Sequence, residues 1–152
     1  MRSRASPAME WPRAILHLDM DAFFVNVHLL DHPEDRGLPL AIGGKPGTRG
    51  VVASASYEAR QHGVRSAMPA TQAARRCPEL KFAAPNWGRI EGCPREVMRR
   101  LAEFGPLEPP SVDEAFVDLG EAAAPAMLAP RVRRYIASET KLPASVGLAT
   151  CK

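Results

Sequence analysis

Apolar and polar positions alternate over residues 13–20 (RAILHLDM), a period of two that predicts a strand closing on Asp19. The period then changes. Apolar residues at 23, 24, 27 and 30 predict a helix over 22–30, with Asp21 where an N-cap is expected. The first amides of that helix would point toward the same place as the Asp19 carboxylate, and a helix N-terminus is a natural phosphate site. Residues 39–42 and 50–54 read as two strands around a hairpin loop, 43–49. That loop holds Gly and Lys in the wrong order for a Walker A motif. Short helices are predicted over 56–62, closed by Gly63, and over 69–77, with Pro69 in the first turn. A strand over 81–84 precedes a basic amphipathic helix over 94–104 with Val97, Leu101 and Phe104 on its apolar face. Residues 107–111 and 115–119 are apolar runs joined through Asp113-Glu114. They form either a hairpin with acids near its tip or a strand with acids on one exposed face. A helix over 127–140 and a strand over 144–149 complete the series. The order β-α-[insert]-α-β-β-α-β predicts an α+β fold: an antiparallel or mixed sheet with helices on one face.

Length and composition narrow the class. The 152 residues allow one domain, or one domain with a small insert, and a 45% hydrophobic fraction supplies a real core. Fifteen prolines argue against a long bundle. Cys77, Cys93 and Cys151 are odd in number and form no CxxC, so the expectation is reduced thiols of a cytosolic protein, with neither zinc site nor disulfide framework. No apolar run approaches the roughly 20 residues of a membrane span. Residues 1–10 are polar and lack the apolar stretch of a signal peptide, so they read as a flexible lead-in. Charge is uneven. Residues 45–100 carry eleven bases against four acids, whereas 101–130 carry six acids and no base. A basic lobe beside an acidic site suits a polyanion substrate held by metal ions, although charge alone equally fits a solvated helix face. Sixteen Arg against four Lys hint at a GC-rich genome.

The acidic elements carry the candidate chemistry. Carboxylates at the ends of apolar strands are costly unless something positive lies between them. Mg²⁺ favours a few carboxylates plus substrate phosphates. Asp19 would be one leg of a two-metal cage, to which the Met20 carbonyl could add an oxygen; Asp113 and Glu114 would supply the rest. The competing reading of Asp19 is a strand-end acid capping a turn. A hydrophobic-DxD opening also occurs in haloacid-dehalogenase-type phosphatases, where the first Asp is a nucleophile and the second a general acid. Tyr57 and Arg60 share a helix face, and Arg can grip a phosphate through two parallel hydrogen bonds. Ser54, at the preceding strand end, could join them; a plain surface pair is the alternative. Phe23 and Phe24 cannot share a face, so one is expected to fill the core and the other to point toward a site entrance, with core packing the default for either.

Together these segments resemble the Y-family (DinB/UmuC-type, impB/mucB/samB) translesion DNA polymerases. The matching stretches are ILHLDMDAFF at 15–24, RGVVA at 49–53, SYEAR at 56–60, GVRSAMP at 63–69, SVDEAF at 111–116 and ASVGLA at 144–149. Six collinear motifs over about residues 13–152 make the resemblance specific. They set aside the phosphatase reading, which needs a downstream Lys and a second acidic motif not found here.

The resemblance implies a ferredoxin-like polymerase palm at 13–30 and 87–152, with a small fingers subdomain inserted at 31–86, after an N-terminal extension at 1–12. It implies that Asp19, Asp113 and Glu114, assisted by the Met20 carbonyl, bind two Mg²⁺ ions, for which Mn²⁺ can substitute. One ion would lower the pKa of the primer 3′-hydroxyl and the other hold the triphosphate. Phe23, Phe24, Ser54, Tyr57, Arg60 and Lys152 match nucleotide-binding positions. Phe24 matches the steric gate that excludes a ribose 2′-hydroxyl, and Ala53 and Ala67 match the small residues roofing the nascent base pair. Implied partners are a DNA primer-template, a deoxynucleoside triphosphate and a sliding clamp contacted beyond residue 152, in the cytoplasm at the bacterial nucleoid and not at a membrane. Three departures stand out. Ile90 and Pro94 replace a common Tyr and Ser ahead of the palm helix, Cys151 replaces a common Asn, and the thumb and little finger are missing, as in a truncated piece. The expected activity is template-directed deoxynucleotide transfer, weak or absent in these residues alone. The alternative is a Y-family-like module that has lost catalysis and serves in DNA binding or regulation.

Overall fold

The computed structural model describes residues 11–121 and 125–152; the expected N-terminal extension falls largely outside them. The chain forms two compact units. The first comprises the chain up to Met20 with Pro94–Lys152, and the second is Asp21–Cys93.

In the first unit, β1 (Ile15–Met20), β5 (Leu107–Glu108), β6 (Glu114–Asp118) and β7 (Ala144–Ala149) form one antiparallel sheet in the order β5-β6-β1-β7. Leu16 lies opposite Val117 and Leu18 opposite Ala115, and all four are buried. The intervening residues face the other way: His17 opposite Phe116, and Asp19 opposite Glu114. Strand alternation thus makes one face core and leaves the other for chemistry. Helix α5 (Pro125–Thr140) packs on β7 and buries Val132 and Ile136, a spacing of four that marks one helix stripe.

Helix α4 spans Trp87–Leu101, seven residues earlier than the periodicity predicts, and holds Pro94 inside it. Asn86 starts it: its side-chain oxygen accepts from the Arg89 amide at 3.3 Å and its carbonyl from Ile90 at 2.9 Å. Pro94 therefore does not open this helix. The division between the units falls at Pro94, which has no backbone donor to give. Across the first unit's helices, Arg100 ties α4 to α5 through Tyr135 and Glu139.

In the second unit, β2 (Leu40–Gly43) pairs antiparallel with β3 (Val52–Ala55) and parallel with β4 (Lys81–Ala83). The expected hairpin around 43–49 is present, with a bulge after Ile42. Gly43 is required there: at φ +145° a Cβ would lie 2.4 Å from the Val51 carbonyl oxygen. Helices α2 (Tyr57–Gln61) and α3 (Ala70–Arg76) match the predicted short helices. Ser56 caps α2, its hydroxyl accepting from the Ala59 amide at 3.2 Å.

Helix α1 (Phe23–Asp31) differs from expectation at its start. Ala22, not Asp21, is the N-cap; it adopts a left-handed conformation (φ 38°, ψ 52°) with no side-chain cap. An N-cap carboxylate needs extended backbone, which this tight turn does not offer. Instead the Asp21 carbonyl accepts from the Asn26 side chain at 2.6 Å. The subdomain boundaries implied by the resemblance fall at 30/31 and 86/87, and the compact units divide at 20/21 and 93/94. The difference arises because Val25 of α1 shares a buried cluster with Leu40 and Ile42 of β2, which joins α1 to the insert's core.

Candidate active site

The acids converge at one end of the four-stranded sheet. Antiparallel register sets Asp19 opposite Glu114, and the Met20 amide donates to the Asp113 carbonyl at 2.9 Å. Those bonds bring positions 19, 20, 113 and 114 together although Asp19 and Asp113 lie 94 positions apart in the chain. Asp19 is exposed, and Asp113 and Glu114 are half-buried. The Ser111 hydroxyl lies 2.9 Å from one oxygen of Asp113 and 2.9 Å from one of Glu114. The other Glu114 oxygen approaches His17 Nε2 at 3.4 Å. His17 in turn stacks on Phe116, ring centroids 4.7 Å apart.

The donor set is hard oxygen, the type Mg²⁺ takes. Asp113 and Glu114 are held by a neutral hydroxyl rather than a lysine or arginine. Among the described residues, however, no group of three His, Cys, Asp or Glu side chains is already arranged as an ion-holding cluster. The backbone brings the acids together, and a cation would have to draw the side chains from Ser111 and His17. Lys152 lies on the same sheet face, with its ammonium 5.9 Å from the Phe116 centroid and paired with Glu108.

The second unit carries the remaining candidates. The Arg60 guanidinium lies 5.1 Å from the Tyr57 ring centroid, and its Nε donates to the Ala55 carbonyl at 3.0 Å. The shared face predicted from their spacing is present. Tyr57 is 57% exposed and Ser54 is buried. Ala53 and Ala67 are both exposed and lie next to the same backbone link: the Ala67 amide donates to Val52 at 2.8 Å, and Val52 to Met68 at 2.8 Å. Phe23 is core at 5% exposure and Phe24 is half-buried.

Sequence reasoning missed three features. Ser111 had a signal, a hydroxyl two and three residues before two acids. His17 had one too, since it shares Asp19's strand face at i−2. The third had no local signal. The buried Asp35 carboxylate joins His28 Nε2 at 2.7 Å and Lys81 Nζ at 2.5 Å, and these bonds, His28 first, hold its pKa below the ordinary carboxylate value.

Comparisons with known proteins place the fold. The profile of the impB/mucB/samB family matches residues 18–152. DNA polymerase IV of Halorhodospira halophila is 45% identical over 145 residues, covering 92% of this chain and 40% of that protein. DNA polymerase IV of Staphylococcus aureus (strain bovine RF122 / ET3-1) is 40% identical over 141 residues, covering 90% and 43%. Among solved structures, DinB from Sulfolobus solfataricus superposes with a TM-score of 0.85 at 30% identity, covering 91% of this chain and 42% of that one. An insertion ternary complex of Dbh DNA polymerase gives 0.85 at 29%, covering 91% and 43%. The chain spans about two fifths of the length of these relatives. With the acid-bearing sheet, the small inserted sheet and a family match that starts at Leu18 and runs to Lys152, this chain belongs to the impB/mucB/samB family of Y-family DNA polymerases.

Proposed function

We propose that these residues form the palm and fingers of a translesion DNA polymerase that adds a deoxynucleotide to a DNA primer under template direction. On this reading residues 13–30 and 87–152 are the palm and residues 31–86 the fingers. The observation that carries the reading is the register of β1 on β6, which sets Asp19 against Glu114 with Asp113 alongside. Asp19, Asp113 and Glu114, with the Met20 carbonyl, would hold two divalent ions, Mg²⁺ by the hardness of the donors. Bound there, the ions would activate the primer 3′-hydroxyl and stabilise charge on the triphosphate.

The chain's own residues bind and select. Arg60, anchored by its Nε to Ala55, keeps its terminal N–H groups for a phosphate, and Tyr57 braces the guanidinium. Ser54 and Lys152 add a hydroxyl and an ammonium to the same task. The Phe24 ring blocks a 2′-hydroxyl. Ala53 and Ala67 present only methyl groups to the base pair, which leaves room for a damaged template. The setting is the bacterial cytoplasm, on the nucleoid.

The test is single-nucleotide primer extension by the polymerase carrying residues 13–152. Asp113→Ala abolishes extension if the acids hold the ions; unchanged extension contradicts the reading and favours a binding module. Phe24→Ala admits ribonucleotides, and unaltered selectivity removes its role as gate. The 152 residues alone bind DNA weakly and extend poorly, since the relatives are more than twice as long; robust extension at physiological salt would overturn that.

A further inference from the structure

We propose that Trp87 is a positioning residue for the Phe24 ring and so sets how sharply the protein separates deoxyribonucleotides from ribonucleotides. The proposal rests on the reading of Phe24 as the steric gate.

A gate that works by exclusion is only as selective as its ring is immobile. On its inner side Phe24 leans on the buried cluster of Val25, Leu40 and Ile42. Two rings meet it from the sides. Phe23 stands edge-on at 5.3 Å and 62°, and is itself fixed in the core. Trp87 stands edge-on at 6.1 Å and 80°. Edge-to-face contact is a favoured geometry for aromatic pairs and holds a ring beyond what area burial does.

Trp87 is 62% exposed, so core packing does not account for an indole at this position. Its position is nonetheless built. Asn86 caps the start of α4 one residue before it. Two residues after it, Arg89 grips both oxygens of Asp31, Nε to Oδ2 at 3.0 Å and Nη2 to Oδ1. Phe24 and Asp31 lie seven residues apart on α1, about two turns, and so share one face. The first turn of α4 is therefore fastened along that face at two points: Trp87 on Phe24 at one end, Arg89 on Asp31 at the other. The bidentate pair fixes orientation as well as distance. Removing the indole opens one side of the gate ring and leaves its inner support intact.

The experiment compares incorporation of deoxy- and ribonucleotides, as kcat/KM for each, in the polymerase carrying this chain and in its Phe24→Ala, Trp87→Ala, Trp87→Phe and Arg89→Ala variants. Trp87→Ala raises ribonucleotide incorporation about two- to tenfold, the leverage of one aromatic edge contact, while deoxynucleotide incorporation holds. Trp87→Phe restores most of the discrimination because it restores an edge, and Arg89→Ala relaxes discrimination in the same direction by less. If Phe24→Ala relaxes discrimination and Trp87→Ala does not, the proposal is overturned and the gate stands. An equal fall for both nucleotides in Trp87→Ala also overturns it, because that is the mark of general damage. If Phe24→Ala itself changes nothing, the gate reading fails and takes the proposal with it.

Discussion

The two units treat carboxylates in opposite ways. In the second, Asp35 is buried, saturated by His28 and Lys81, and held below the ordinary carboxylate pKa by those bonds. In the first, Asp19, Asp113 and Glu114 stand at an open strand end, where a serine hydroxyl and an imidazole are the groups seen on Asp113 and Glu114. A carboxylate that serves the fold is bonded on both oxygens, here by a lysine and an imidazole, and closed off. One proposed to hold a metal ion has to remain exchangeable, because the ion would be its partner. On the proposed reading, burial and the kind of partner, rather than an acid's presence in a motif, separate structural from chemical carboxylates.

The largest expected effect attacks the open set. Asp19→Ala lowers primer extension by more than about a hundredfold, since even groups behind a metal's ligands are worth ten- to a hundredfold. The melting temperature should hold, because an exposed acid is removed. Extension and melting measured on one preparation check both halves. The reverse pattern is expected of Asp35→Ala. It leaves His28 and Lys81 without their shared partner and costs about 1–3 kcal/mol in urea unfolding, lessened by the partial exposure of Lys81. Extension per folded molecule is retained. Loss of activity without loss of stability would erase the contrast between the units.

A smaller effect concerns acid. Asp35 has a lowered folded-state pKa, and Glu96, bonded first by Arg99 and then by Arg100, is lowered to about 2. Groups depressed by folding stabilise above their ordinary pKa, and that contribution drains as pH falls through the folded value. Thermal stability should therefore fall from about pH 4.5 down toward pH 2, and Asp35→Asn should flatten the profile. Circular dichroism melts across that range decide it. Smallest is Ser111→Ala. Stability shifts by no more than about 0.5 kcal/mol, as for surface changes generally, and Mn²⁺ binding followed by electron paramagnetic resonance is not weakened. A marked loss of binding would make Ser111 part of the ion site.

The strands and short helices were legible because their periods are clean: β1, β7, α2 and α3 fall where alternation or spacing put them. The start of α4 was not. Pro94 reads as a helix opener, and only the bonds of Asn86 to Arg89 and Ile90 reveal an earlier start. The cap of α1 was misread because the demand of a tight turn for a left-handed residue at Ala22 outranks the capping preference of Asp21. Asp19, Asp113 and Glu114 could be named from apolar strands ending in acids, whereas their adjacency needed the β1–β6 register. The Asp35 node, 46 positions from Lys81 in the chain, leaves no local trace.

The central claim is that one strand end holds two ions. The most direct measurement is the anomalous scattering of Mn²⁺ in crystals of the polymerase carrying this chain, grown with primer-template and an incoming nucleotide. The account predicts two peaks about 3.5–4 Å apart bounded by Asp19, Asp113 and Glu114, with Asp113 and Glu114 drawn from Ser111. Peaks elsewhere, or Asp113 and Glu114 still bonded to Ser111 with no ion beside them, would contradict it.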